Sequence, residues 1–303
     1  MAHVDGLSAL LDGLTRTSEA SDPVGFIERN RALDDLDLLL FELTHDRGPD
    51  DVAGPETTES VARLVTLRDR RQRINDSMAQ RLRERIAAAS VPPSELLATF
   101  REYVSAAPRD ARDDLTYDAL DALVAGVLYA DEVVAEGTVE WGPDMVPYQP
   151  TPARLILALL QDIRPTERDV FVDVGAGLGT VPTLVSLLTG ARAIGIEWHP
   201  DYCACARRIV QGLNLATVAF VRQDASTADF STGTIFYMFT PFKGAMLRDV
   251  LRRLDGEGRR RAIRLCVHGP LVREALREVS SFSLEKGHRG DDAISVFRSS
   301  PVA

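Results

Sequence analysis

Over roughly the first 140 residues the apolar positions recur every three or four places, which is the spacing of amphipathic helices. The pattern breaks at Ser21-Asp22-Pro23, Gly48-Pro49-Asp50, Val91-Pro92-Pro93 and Ala107-Pro108, which divides this stretch into about five helices. Leu33 to Leu43 is apolar enough to serve as a core helix. Between Glu140 and Pro152 four prolines forbid a continuous helix and mark a boundary. The reading is a helical domain over 1–144, acting as a lid or docking surface, and a second domain over 145–303.

In that second domain short apolar runs alternate with amphipathic segments. Strands are predicted at Val170 to Asp173, Ala193 to Glu197, Val218 to Arg222, Ile235 to Phe239 and Ala262 to Val267, with two closing strands at Phe282 to Lys286 and Ala293 to Arg298. Helices fall between them at Ala153 to Gln161, Thr180 to Leu188, Tyr202 to Leu213, Gly244 to Leu254 and Leu271 to Glu278. The fold class is therefore α/β, a mostly parallel Rossmann-like sheet covered on both faces, with ligands expected at the carboxyl ends of the strands.

The first strand runs into Asp173-Val174-Gly175-Ala176-Gly177-Leu178-Gly179-Thr180 and then into a helix, the setting in which a glycine-rich turn is informative. A dinucleotide fingerprint wants glycine three residues after the second one, and Thr180 stands there. An acid instead precedes the first glycine by two positions. Further acids close the second strand, at Glu197, and follow the third, at Asp224. The plainer alternative is that Asp173 and Asp224 only cap backbone donors that follow them.

This arrangement resembles the class I S-adenosylmethionine-dependent methyltransferases over residues 145 to about 300. The resemblance implies a seven-stranded sheet with the last strand antiparallel, and S-adenosyl-L-methionine as cofactor with S-adenosyl-L-homocysteine as product. It implies that Asp173 faces the cofactor's ammonium, that Glu197 takes the ribose hydroxyls and that Asp224 takes the adenine amine. Gly175, Ala176, Gly177, Gly179, Trp198, Ala225 and Thr240 complete the expected cofactor contacts. Locally, Tyr148-Gln149-Pro150-Thr151-Pro152 through Gly175 is similar to bacterial proteins of the non-SET histone lysine methyltransferase branch, which implies that Tyr148 and Thr151 close over the cofactor. The basic tail of the eukaryotic members is missing, so a histone substrate does not follow.

After the fourth strand, Phe239-Thr240-Pro241-Phe242 stands where many amino methyltransferases carry an Asn/Asp-Pro-Pro-aromatic motif. The leading amide or acid is absent, but Pro241 and Phe242 still shape an acceptor pocket, together with Trp141. His268, at the end of the fifth strand, is a candidate base, with a turn histidine as the alternative reading. Glu140 and Tyr148 are the other catalytic candidates, and Asp144 is a further acceptor contact. The spacing of His199 and Cys203 would allow two metal ligands, but no others accompany them, so no metal is expected.

Composition changes little in this picture. The chain has 303 residues, 45% hydrophobic and 26% charged, as in ordinary globular proteins. Its net charge of −10 disfavours nucleic acid, and the basic run Arg68, Arg70, Arg71 and Arg73 reads as a solvated helix face. No signal peptide, membrane span or disulfide framework is expected, which points to a cytoplasmic protein, and the family resemblance implies a bacterial one. A small-molecule acceptor fits better than a protein one, and a homodimer is possible. The alternatives are a protein or peptide methyltransferase, an enzyme that consumes the cofactor by intramolecular displacement, and a silent cofactor-binding scaffold.

Overall fold

The computed structural model describes residues 20–45, 55–106, 117–129, 142–287 and 294–301. These residues form two compact units. The first holds the described residues up to 83 together with 102–106 and 118–129; the second holds 84–101, Tyr117 and the described residues from 142 onward. The division is therefore not a single cut in the sequence.

The first unit is helical, built from α1 (Pro23–His45), most of α2 (Pro55–Ala87), the end of α3 (Pro93–Ala106) and α4 (Ala119–Tyr129). Three of these helices begin on proline, whose missing N–H would be unsatisfied in a first turn anyway. Asp22 receives the N–H of Gly25, and Asp118 receives that of Leu120, so acids cap α1 and α4. Phe26, Leu33 and Leu36 of α1, Leu64 of α2, Tyr103 of α3 and Leu123 and Val127 of α4 are buried. The expected core stretch from Leu33 is only half of one, because Leu38 and Phe41 are 58% and 60% exposed. The arginine-rich face of α2 also departs from expectation at Arg71, which is buried. Arg29 is fully buried, and its guanidinium donates to Asn75 Oδ1 (2.8 Å), the Ala20 carbonyl (2.6 Å) and the Met78 sulfur (2.8 Å).

The second unit carries the sheet. After α5 (Ala153–Ile163) come β1 (Val170–Val174), α6 (Thr180–Thr189), β2 (Arg192–Glu197), α7 (Pro200–Gly212), β3 (Val218–Arg222), β4 (Ile235–Phe239), α8 (Gly244–Arg260), β5 (Arg264–His268), α9 (Pro270–Ala275), β6 (Phe282–Lys286) and β7 (Ser295–Ser299). The strand order is β3-β2-β1-β4-β5-β7-β6. Only β7 runs against the rest. This is the sheet the family resemblance implies. No helix among the described residues is long and apolar enough to cross a membrane.

Alternation along the strands sorts side chains onto two faces. Val170, Val172 and Val174 of β1, Phe236 and Met238 of β4, and Leu265 and Val267 of β5 share one dry cluster with Leu247, Val250, Leu251 and Leu254 of α8. Those four α8 residues follow the three-and-four spacing of a core-facing stripe. The sequence pattern ends this helix at Leu254, ahead of Gly256 and Gly258, yet it runs on to Arg260. Two i,i+4 ion pairs, Arg259 with Asp255 and Arg261 with Glu257, span the extra turns. Gly258 is there for packing, since a Cβ would come within 2.9 Å of Ser281 Oγ and the Ser299 Cβ. The helix expected over Leu271 to Glu278 is α9 followed by a single 3₁₀ turn at Leu276–Glu278.

Candidate functional site

The opposite face of the same strands carries the polar side chains. Strand register pairs Phe171 with Ala193 and Ile235, Asp173 with Gly195 and Tyr237, and Phe239 with His268. Asp173, Glu197, Tyr237, Phe239 and His268 therefore project from one face at the carboxyl ends of four neighbouring strands. They line a single cleft of about 320 Å³ together with Tyr148, Thr151, Gly175, Ala176, Gly177, Trp198, Ala225, Thr240, Pro241 and Phe242. No lysine or arginine lines it.

The glycine-rich turn is held by its own neighbours. The N–H groups of Gly175 and Ala176 both donate to the Ile196 carbonyl (2.9 and 3.0 Å), Gly179 N–H donates to Ala176 O (2.8 Å), and Gly177 N–H donates to Glu197 Oε2 (2.7 Å). Four of the N–H groups that a phosphate-binding loop would aim at its ligand are thus consumed inside the protein. Gly175 and Gly177 have φ of +92° and +53°. A Cβ would strike Pro241 at 2.3 Å from the first and the Tyr148 ring at 2.1 Å from the second. These two positions need glycine both for backbone conformation and for the side chains laid against them. Gly179 does not line the cleft, because its Cβ position faces Phe220 and Ala206, so its place is beneath the turn, in helix–strand packing.

Asp173 is 3% exposed, and no described residue donates a hydrogen bond to its carboxylate. Burial, and secondarily the charge of Glu197, push its pKa well above the ordinary carboxylate range. Glu197 is also buried and also shifted upward by burial, but backbone donors at His199, Gly177 and Trp198 moderate the effect. Its Oε2 takes Gly177 N–H and its Oε1 takes His199 N–H, both at 2.7 Å, so it ties the turn to the end of β2. The carboxylate's remaining lone-pair capacity is open to a ligand hydroxyl.

Tyr237 is 1% exposed, and its phenol oxygen lies 3.0 Å from Thr151 Oγ1. Burial raises its pKa far above that of a free phenol, so it stays neutral. At the rim, the ring of His199 stacks on Tyr202 (centroids 4.3 Å apart), and Tyr202 lies 5.5 Å from Tyr148. Trp198 is next to them, edge-on to His199 at 5.6 Å.

At the β4–β5 end, Thr240 sits at φ +42° and its hydroxyl donates to the His268 carbonyl (2.8 Å), while the His268 ring meets Phe239 edge-on at 4.5 Å. Thr240 thus spends its proton inside the protein and keeps only acceptor capacity toward the cleft. Asp144 accepts from the N–H groups of Ala245 and Met246 (2.9 and 3.2 Å), and its carbonyl accepts from Lys243 N–H (2.8 Å). It caps the N-terminus of α8 from outside the helix. Met145 and Phe242 bridge the same two segments.

Thirteen of the residues singled out by sequence thus meet in one place. Asp224 does not join them: it is exposed, lies outside the cleft, and its Oδ1 takes both the N–H and the hydroxyl of Ser226. Its Oδ1 serves as a cap, and its neighbours Gln223 and Ala225 line the wall. Glu140 and Trp141 lie outside the described residues. Tyr237, Tyr202, Met145 and Met246 line the cleft without having been foreseen. The burial of Tyr237 beside Asp173 depends on strand pairing, which sequence does not carry, but its place two residues before Phe239 on an alternating strand was a usable signal.

No protein-family model matches the chain, and no curated protein matches it. Solved structures with a similar fold include an RNA methyltransferase from Salinibacter ruber in complex with S-adenosyl-L-homocysteine, at 23% identity and TM-score 0.41 over 50% of this chain and 92% of that one. Precorrin-6y C5,15-methyltransferase from Geobacter metallireducens GS-15 aligns at 17% identity and TM-score 0.41 over 52% of this chain and 93% of its own. A mutant of MtNAS in complex with S-adenosylmethionine aligns at 12% identity and TM-score 0.42 over 100% of this chain and 99% of its own.

Proposed function

We propose that this protein is an S-adenosylmethionine-dependent methyltransferase acting on a small-molecule acceptor. The observation that carries the reading is the Asp173 carboxylate, buried in the cleft wall with no hydrogen-bond donor among the described residues. An isolated buried carboxylate is costly and calls for a cationic partner. A ligand ammonium at this place supplies one. The turn's consumed N–H groups and the lack of lysine or arginine in the cleft argue against a pyrophosphate ligand, and hence against a dinucleotide. The free lone pairs of Glu197 suit ribose hydroxyls, and Trp198 and Tyr202 offer flat faces for a base.

When bound, S-adenosylmethionine supplies an electrophilic methyl group on a positively charged sulfur. The chain holds the two reactants at attack distance and keeps water out. Tyr148, laid on Gly177, covers the turn. Phe239, Phe242, Met145 and Met246 make the far wall apolar. His268, which lines the cleft at the same end, is the candidate base for an acceptor that arrives as a hydroxyl or ammonium. That apolar far wall, with no lysine or arginine in the cleft, supports a small acceptor.

The test is titration calorimetry with S-adenosylmethionine and S-adenosylhomocysteine, followed by incubation with methyl-labelled cofactor and metabolite or protein fractions. Binding of both ligands and label in the small-molecule fraction are expected. Absence of binding would overturn the cofactor, and label confined to protein would overturn the acceptor class.

A further inference from the structure

The arginines of α2 fall into two groups. Some are answered inside the protein: Arg68 pairs with Asp37, Arg85 with Glu95 (2.7 Å), and Arg83 donates to the Val127 carbonyl at the end of α4. Arg70, Arg73 and Arg81 instead line an open groove of about 500 Å³ in the helical unit, together with Ser21, Ile74 and Ser77. Positions 70, 73, 74, 77 and 81 follow the three-and-four spacing that sets side chains on one helix face. Among the described residues every charged side chain on this wall is an arginine. The acids nearby in sequence are turned to other tasks. Asp69 lies 3.6 Å from Arg68, Asp76 takes the Gln72 amide (2.7 Å), and Asp22 caps α1.

The groove presents mostly donors. Arg73 spends Nε on the Asp69 carbonyl (3.2 Å) and Arg81 spends one terminal nitrogen on Ser77 Oγ (2.7 Å), so each keeps terminal N–H groups for a ligand. Neither meets a carboxylate among the described residues. Ser77 accepts the Arg81 bond and has its own proton left to give. Positive charges gathered on one helix face repel one another, and an anion between them removes that cost. A guanidinium fork takes two oxygens of a single phosphate. From Arg70 to Arg81 the helix axis advances by about 16 Å, more than one phosphate spans. We propose that this groove binds a small-molecule ligand carrying two or more linked phosphates, with Arg73 and Arg81 as its principal contacts. A long polyanion such as nucleic acid would run beyond the groove onto a chain of net charge −10, which opposes it. The site stands whether or not the cofactor reading does.

The experiment is titration calorimetry on the full chain at low ionic strength, with inorganic tripolyphosphate, orthophosphate and a short single-stranded RNA as probes. Tripolyphosphate is expected to bind, and orthophosphate to bind about tenfold more weakly or less still. Arg73→Gln and Arg81→Gln should each weaken tripolyphosphate by about tenfold, the scale of one charge-assisted hydrogen bond. Arg63→Gln changes an exposed arginine of the same helix outside the groove and should stay within about twofold of wild type. All three arginines are exposed, so the variants are expected to keep the helical circular dichroism and melting of the wild type. Absence of tripolyphosphate binding overturns the inference, as does an equal loss in Arg63→Gln, which would reduce the effect to general surface charge. Equal affinity for orthophosphate overturns the linked-phosphate class, and tighter binding of the RNA overturns the small-molecule one.

Discussion

The ring of Tyr148 occupies the space that a side chain at Gly177 would need, with ring carbons 2.1 and 2.2 Å from an added Cβ. The segment before the sheet and the glycine-rich turn are therefore fitted to each other. Gly177→Ala is expected to expel the ring and strain a backbone held at φ +53°. A loss of about 1–3 kcal/mol in stability follows from the strain, and S-adenosylhomocysteine affinity should fall at least as far. Chemical denaturation and calorimetry on the same preparation separate the two effects. Wild-type values in both would mean that Tyr148 does not cover the site.

Asp173→Asn should have opposite effects on the two quantities. An amide relieves the burial of an unpartnered charge, so the ligand-free protein gains thermal stability. Cofactor affinity falls by about 1.5–3 kcal/mol, the scale of a charge-assisted hydrogen bond. A variant that loses stability would show that the carboxylate has a protein partner in solution.

The raised pKa values of Asp173 and Glu197 give a signed pH dependence. A carboxyl whose folded pKa exceeds its unfolded value stabilises the fold relative to high pH, fully below the unfolded pKa, near 4, and that contribution is lost as pH rises through the folded pKa. A cationic ligand reverses the balance by favouring the ionised form. The melting-temperature increase produced by S-adenosylmethionine should therefore grow with pH across that window, and binding on its acid side should release protons. A shift independent of pH would remove Asp173 from the ligand contact.

In the helical unit, Asn75→Ala takes the Oδ1 acceptor from a guanidinium that is fully buried. The cost of leaving such a donor unpaired is about 1–3 kcal/mol. Denaturant unfolding monitored by Trp198 should leave the sheet-bearing unit's transition in place while the helical signal melts earlier. Coincident shifts of both would show that the units unfold as one.

The fold of the sheet-bearing unit was legible because its strands are short apolar runs between glycine and proline breaks, and the positions of Asp173 and Glu197 were legible because a strand–turn–helix motif fixes where they point. Asp224 was ambiguous for a physical reason: an acid before Ser226 can cap a backbone donor as readily as face a ligand, and only geometry shows that its Oδ1 takes the Ser226 N–H and hydroxyl. Tyr237 was missed because it reads as one more apolar strand residue until β1 is placed beside β4. Arg71 was misplaced because helical periodicity alone does not say which flank of an arginine-rich helix is covered.

Asp144 fastens the segment leading into the sheet to the first turn of α8, and Met145 pairs with Phe242 across the same junction. The wall at that end of the cleft is thus shared by two stretches of chain almost a hundred residues apart. Substitutions at Met145 and Phe242 should be non-additive. A change of acceptor preference would then require matched changes on both sides of the bridge, and neither residue alone would carry it.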